Sequence, residues 1–168
     1  MINWNSIIKS LKDGSEVTVD PSRWNLDNPE YNKIYDIWKR ANFNLNSIKW
    51  TNFYPDIHFS KEIVEQQAAN LNLKHVHRSW ISKIDSGYMA PWHWDVDDHE
   101  QDYLKFGPIK RYTVIVEQMM HGHILIIGKD HYFNQPLGTV IKWANYREWH
   151  SGINAGMTPS HMFHILGS

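Results

Sequence analysis

The sequence predicts an α+β fold: a mainly β core with N-terminal helices packed on it. Two observations carry that reading. Over residues 1–73 apolar residues recur at helical spacing, and after Leu73 the period changes to two. The later segments are short, rich in β-branched and aromatic residues, and separated by turn signals without long helices between them. That pattern favours an antiparallel sandwich or barrel over a parallel doubly wound sheet.

Each predicted helix has its own start signal. Asn3 caps a helix whose Trp4, Ile7, Ile8 and Leu11 share a face, with Gly14 as its end. In "NPEYNKIYDIWKRAN", Asn28 is the cap and Pro29 takes the first helical position, where its missing N–H costs nothing. Tyr31, Ile34, Tyr35 and Trp38 make its apolar stripe, and Lys39 and Arg40 sit in the last turn, where the dipole favours cations. A third helix runs from Ser60 through "KEIVEQQAANL", with Ile63, Val64, Ala68 and Leu71 on one face. The strand candidates follow: "KHVHRSWISKI", "KRYTVIVEQ", "GHILIIG", "GTVIKWA" and "SHMFHIL". No repeat or low-complexity linker interrupts them. One domain is expected over 1–168, with 1–73 mostly helical and 74–168 forming the β core.

Composition narrows the function classes. The formal net charge of the 168 residues is −1, so no basic footprint for nucleic acid or anionic membrane is expected. The absence of cysteine excludes disulfides, thiolate metal sites and a cysteine nucleophile. The N-terminus lacks a signal-peptide pattern and no apolar run approaches membrane-spanning length, so a cytoplasmic protein is expected.

Chemistry concentrates in "APWHWDVDD", residues 90–98. On a strand, His93 and Asp95 project to one face and Trp92 and Trp94 to the other. Imidazole and carboxylate suit a divalent first-row metal, and His150 in "REWHSGINAG" offers a third ligand. Two histidines and one carboxylate on one face leave positions open for other ligands, as in non-haem Fe(II) oxygenases. The tryptophans are expected to pack against the helices. The pairs His75/His77 and His121/His123 lack a following glutamate and read as surface or core residues. Asp97 and Asp98 read as a solvated turn.

From Ile84 to Leu166 these pieces resemble the 2-oxoglutarate/Fe(II)-dependent oxygenase superfamily, with the best fit to its short prolyl-hydroxylase-like branch. The His-x-Asp pair, "KRYTVIVEQ" after it, "HGHILIIG" in place of a Gly-Gly strand, "GTVIKWA", and a distal His in "HSGINAG" come in the family order. The resemblance implies a double-stranded β-helix (jelly-roll) core. It also implies Fe(II) held by His93, Asp95 and His150, 2-oxoglutarate as cosubstrate, and dioxygen as oxidant. One departure stands out. The basic residue expected about ten positions after the distal His falls here at Ser160 or His161. Arg111 on the post-triad strand is the first candidate to replace it, followed by His161 if protonated and Lys142 if it points inward. Trp80, Trp143 and Trp149 are expected as pocket walls, and His123 as a residue narrowing the pocket. The implied activity is hydroxylation of an unactivated C–H bond in an amino-acid side chain, a peptide or a small molecule. A zinc hydrolase on the same triad and a non-catalytic jelly-roll binding module are the alternatives.

Overall fold

The computed structural model describes residues 2–18, 28–97 and 99–168. Helix α1 (Trp4–Ser10) is capped by Asn3, whose Oδ1 accepts the Ser6 N–H at 3.2 Å. It stops before Gly14. That glycine serves packing instead: a Cβ there would lie 2.5 Å from the Phe53 and Thr51 side chains. Helix α2 (Pro29–Arg40) starts at Asn28, which accepts the Glu30 N–H at 2.9 Å, and α3 (Lys61–Asn70) starts at Ser60.

The N-terminal part is less helical than its periodicity suggests. It contributes two strands, β1 (Ser15–Thr18) and β2 (Lys49–Phe53). Strands of four and five residues are too short for alternation to register in sequence. They form because β2 adds antiparallel to an edge that the later chain supplies, with Asn52 opposite Ser82.

Eight further strands follow: β3 (Val76–Ile84), β4 (Met89–His93), β5 (Lys110–Ile115), β6 (His123–Ile127), β7 (Asp130–Tyr132), β8 (Val140–Lys142), β9 (His150–Asn154) and β10 (Ser160–Gly167). A short helix, α4 (Glu100–Leu104), lies between β4 and β5. Two antiparallel sheets result, six-stranded in the order β1-β2-β3-β10-β5-β8 and four-stranded in the order β4-β9-β6-β7. The chain passes back and forth between them, so β3, β5, β8 and β10 lie in one and β4, β6, β7 and β9 in the other.

Strand β10 is buried at every position. One of its faces, Phe163 and Ile165, joins Trp4, Phe59, Val64, Ala68 and Ile81 under α1 and α3. The other face carries Met162 into a cluster with Ile115, Leu125, Ile127, Ile141 and Trp143 between the sheets. A third cluster joins Ile34 and Trp38 of α2 to Ile48 and Trp94. Helix α2 is thus pinned beside the end of β4, where the His-x-Asp segment begins.

Gly122 makes the turn into β6 at φ +90°, and a Cβ there would stand 2.3 Å from the Gly156 backbone nitrogen. Gly122→Ala is expected to destabilise the fold by about 2 kcal/mol or more, since strained φ and a backbone collision act together. Chemical denaturation checks this; an unchanged midpoint would contradict it.

Candidate metal centre

The two histidines meet because their strands pair. His93, at the end of β4, is the Cα partner of His150, at the start of β9, and a register shift between Ala90 and His93 re-aims the last residue of β4. Asp95 lies just past the strand end and not on it, so the face-sharing expected from simple alternation is achieved by a strand terminus and its following loop. His93 Nε2 is 3.6 Å and His150 Nε2 3.8 Å from Asp95 Oδ1. Ligand atoms of the three residues lie within 4.8 Å of one another, the single such grouping of metal-ligating side chains among the described residues.

Each imidazole is oriented by its other nitrogen. His93 Nδ1 donates to the Pro91 carbonyl at 2.5 Å and His150 Nδ1 to the Glu148 carbonyl at 3.0 Å. Both Nε2 lone pairs are therefore left for a shared target, the arrangement in which outer hydrogen bonds fix tautomer and ring angle. Trp50 stacks on His93 with centroids 5.8 Å apart, and Trp143 meets His150 edge-on at 4.7 Å. Trp38 Nε1 donates to the Trp92 carbonyl at 2.8 Å and anchors the end of β4.

Electrostatics keep the donors ready. Burial pushes the Asp95 pKa up, yet Arg111, His150 and His93 outweigh it and hold the carboxyl well below its ordinary range. Burial, then His93, pulls His150 well below the ordinary histidine value. An ionised carboxylate and a neutral imidazole are the forms that bind a metal. The donor set fits a divalent first-row ion, and no thiolate competes for a softer one.

Arg111 is the buried partner of this centre. Its Nη2 lies 2.6 Å from Asp95 Oδ2, its side chain is 1% exposed, and its guanidinium sits 3.6 Å from the Trp143 ring centroid. Nη1 donates to the Tyr146 carbonyl at 3.3 Å. The strand residue considered for a cosubstrate carboxylate is thus engaged with the ligand carboxylate.

A cavity of about 300 Å³ opens beside the triad. Val17, Tyr31, Ile34, Trp50, Asn52 and Tyr54 wall it from the N-terminal part, and Arg78, Trp80, Ser82, Met162 and His164 from the core. Of the residues singled out in sequence, Trp80 faces this cavity, Trp143 packs on His150, and Trp149 packs on Trp94 with centroids 4.5 Å apart. The others lie elsewhere. His161 contacts Glu117 at 2.7 Å, because odd positions of β10 face away from the second sheet. Lys142 is exposed on β8. Ser160 is buried at the start of β10, opposite Ile84. His123 does not narrow the cavity; it donates to the Thr158 carbonyl at 2.9 Å. Trp94 packs with α2 as expected and also reaches the cavity wall.

Cavity residues that escaped the sequence reading include Asn52, Arg78, Ser82 and His164. Arg78, Trp80 and Ser82 alternate along "HVHRSWISKI", so period two was the available signal for two of them. His164 stacks on Trp80 at 4.9 Å and bonds Ser82 Oγ at 2.9 Å and Thr113 Oγ1 at 3.1 Å. Burial pushes its pKa down to about 3. The unfolded chain therefore binds a proton at this position that the folded chain rejects, and stability falls as pH drops from about 6.5 toward 3. His164→Gln is expected to flatten the dependence of unfolding free energy on pH over the upper part of that window, measured by urea titration. An unaltered slope would count against it.

Beside a smaller cleft, Arg147 Nη2 contacts both carboxylate oxygens of Glu30 on α2 at 2.6 Å, and its Nη1 contacts Glu100 of α4 at 3.2 Å. Tyr146 donates its hydroxyl to the same Glu100, and burial with that bond raises its pKa to about 12. The segment "HEQDYLKFGPIK" thus forms α4 and faces this cleft, with Glu100 and Tyr103 opposite Arg78 and Asp95.

No protein-family model matches the chain, and no curated protein matches it. Solved structures with similar arrangements include one from Thermotoga maritima described as a predicted oxalate decarboxylase. It is 13% identical, with 71% of this chain and 80% of that one aligned and a TM-score of 0.41. Another is a protein of Photorhabdus luminescens, 10% identical, with 73% and 76% aligned and a TM-score of 0.42. Among the described residues no helix is long and apolar enough to cross a membrane.

Proposed function

We propose that this protein is an Fe(II)- and 2-oxoglutarate-dependent oxygenase built on a double-stranded β-helix. The observation that carries the reading is the triad: two imidazoles and one carboxylate converge from one side, with both Nε2 atoms turned toward the shared space and both Nδ1 atoms committed to carbonyls. Strand order supports it, because the eight core strands divide into β3-β10-β5-β8 and β4-β9-β6-β7. The cavity supports it too, since it gives a small molecule access to the open side of the triad.

Bound iron with 2-oxoglutarate would supply the oxidising power to hydroxylate an unactivated C–H bond. The chain's own residues do the rest. His93, Asp95 and His150 hold one face of the ion, and Arg111 keeps Asp95 charged and fixed in angle. Trp50, Trp80 and Trp94 line the reaction space with apolar surface and limit water. A hydrolase would need a free general base beside the open positions. His164, the cavity's third histidine, has both ring nitrogens bonded to hydroxyls, which disfavours it in that role.

The test is anaerobic addition of Fe(II) and 2-oxoglutarate to the full chain. The expected results are a visible charge-transfer absorption and, on aeration, succinate release. Iron binding without either would overturn the reading.

A further inference from the structure

The cavity carries two polar groups in register on neighbouring strands. Asn52 on β2 and Ser82 on β3 are Cα partners, and both face the cavity. Asn52 is 9% exposed, yet its side-chain oxygen has no hydrogen-bond partner. That oxygen is shut off from the cavity, so the amide group left to face the cavity is the NH2.

Ser82 ends a hydrogen-bond chain with one direction. It starts at Trp143, whose indole N–H can only donate and does so to Thr113 Oγ1 at 2.9 Å. Thr113 is fully buried, and the side-chain acceptor in reach of its own proton is His164 Nδ1, which assigns the tautomer that carries its proton on Nε2. A neutral imidazole accepting at Nδ1 carries its proton on Nε2, which donates to Ser82 Oγ. The Ser82 hydroxyl proton is then free to point into the cavity. Asn52 adds its amide NH2 to the same wall.

Depth favours the same place. Across β10, Arg78 and Arg111 share a row with Leu166, Trp80 and Thr113 share one with His164, and Ser82 and Ile115 share one with Met162. Arg111 binds Asp95, so Ser82 lies two rows further along the inward face than the residue that holds the triad carboxylate. Arg78 is at the opposite end of that face, 3.7 Å from Asp97.

We propose that Ser82 and Asn52 seat the far carboxylate of the 2-oxo acid, the end that Ser160 and Arg111 are not placed to hold. A carboxylate accepts only, and these two groups offer it an O–H and an N–H. The proposal rests on the oxygenase reading and adds that the far end is held by uncharged donors.

The experiment is calorimetric titration of the Mn(II)-loaded full chain with 2-oxoglutarate, and with 2-oxobutyrate, which keeps the chelating head and replaces the far carboxylate by hydrogen. Ser82→Ala and Asn52→Ala are each expected to weaken 2-oxoglutarate about tenfold or more and leave 2-oxobutyrate unchanged. Ser82→Thr, which keeps the hydroxyl, is expected to restore binding to within about threefold of wild type. Equal losses for both acids, or none, overturn the seat. Tighter binding of 2-oxoglutaramate than of 2-oxoglutarate also overturns it, since the pair would then prefer a carboxamide. Wild-type protein that binds Mn(II) but neither oxo acid overturns the oxygenase reading along with the seat.

Discussion

His150→Ala is expected to lose divalent-metal affinity by more than about a hundredfold, beyond the range seen when only an outer hydrogen-bond partner is removed. The reasoning is geometric. His150 is one of three residues whose ligand atoms lie within 4.8 Å, and its Nε2 is held toward the others by the Glu148 carbonyl. No neighbouring side chain on β9 can take its place: Ser151 donates to the Ala90 carbonyl at 2.9 Å, and position 152 is glycine. Competition with a metal indicator dye measures the loss, and circular dichroism checks that the sheets remain. A variant that binds metal as tightly as wild type would remove His150 from the site and undermine the oxygenase reading.

Arg111→Met is expected to lower the stability of the metal-free protein by about 3–5 kcal/mol, the range for breaking a buried ion pair from one side. The residue is 1% exposed and its partner, Asp95, would keep a charge with no cation beside it. For a chain of this size that corresponds to a fall in Tm of roughly 10 °C or more. A divalent ion bound by Asp95 supplies positive charge at the same carboxylate, so adding Mn(II) or Zn(II) should recover more stability in the variant than in wild type. Thermal unfolding with and without metal gives both numbers. Equal metal stabilisation of the two proteins would mean that Arg111 acts through packing on Trp143 and not through Asp95.

The strand segments and the triad were legible because both obey short-range rules. Asn28-Pro29 and Ser60 mark helix starts by capping chemistry, and the structure begins α2 and α3 there. His93, Asp95 and His150 could be picked out by residue type and order, and pairing of β4 with β9 brings them together. What sequence could not show depends on partners far along the chain. β2 exists because β3 offers it an edge, so Asn52, sitting in a region that reads as helical, could not be placed in a cavity. Arg111 could be identified as a cation on an inward strand, but its choice of Asp95 is set by the loop after β4. His161 and Ser160 are neighbours in sequence, yet pleating turns one toward Glu117 and the other toward the interior.

The clasp made by Arg147 joins Glu30, Glu100 and its own loop, positions drawn from the N-terminal helices, the segment after Asp95 and the loop leading to His150. All three side chains are partly exposed, at 33%, 41% and 22% for Arg147, Glu30 and Glu100. Such contacts are weakened by salt, whose screening length shrinks from about 10 Å at 0.1 M to about 3 Å at 1 M. The apolar clusters below feel no such loss. The molecule therefore divides by the kind of force that holds it: a β interior indifferent to ionic strength, and an outer clasp whose tightness follows the ionic composition of its surroundings.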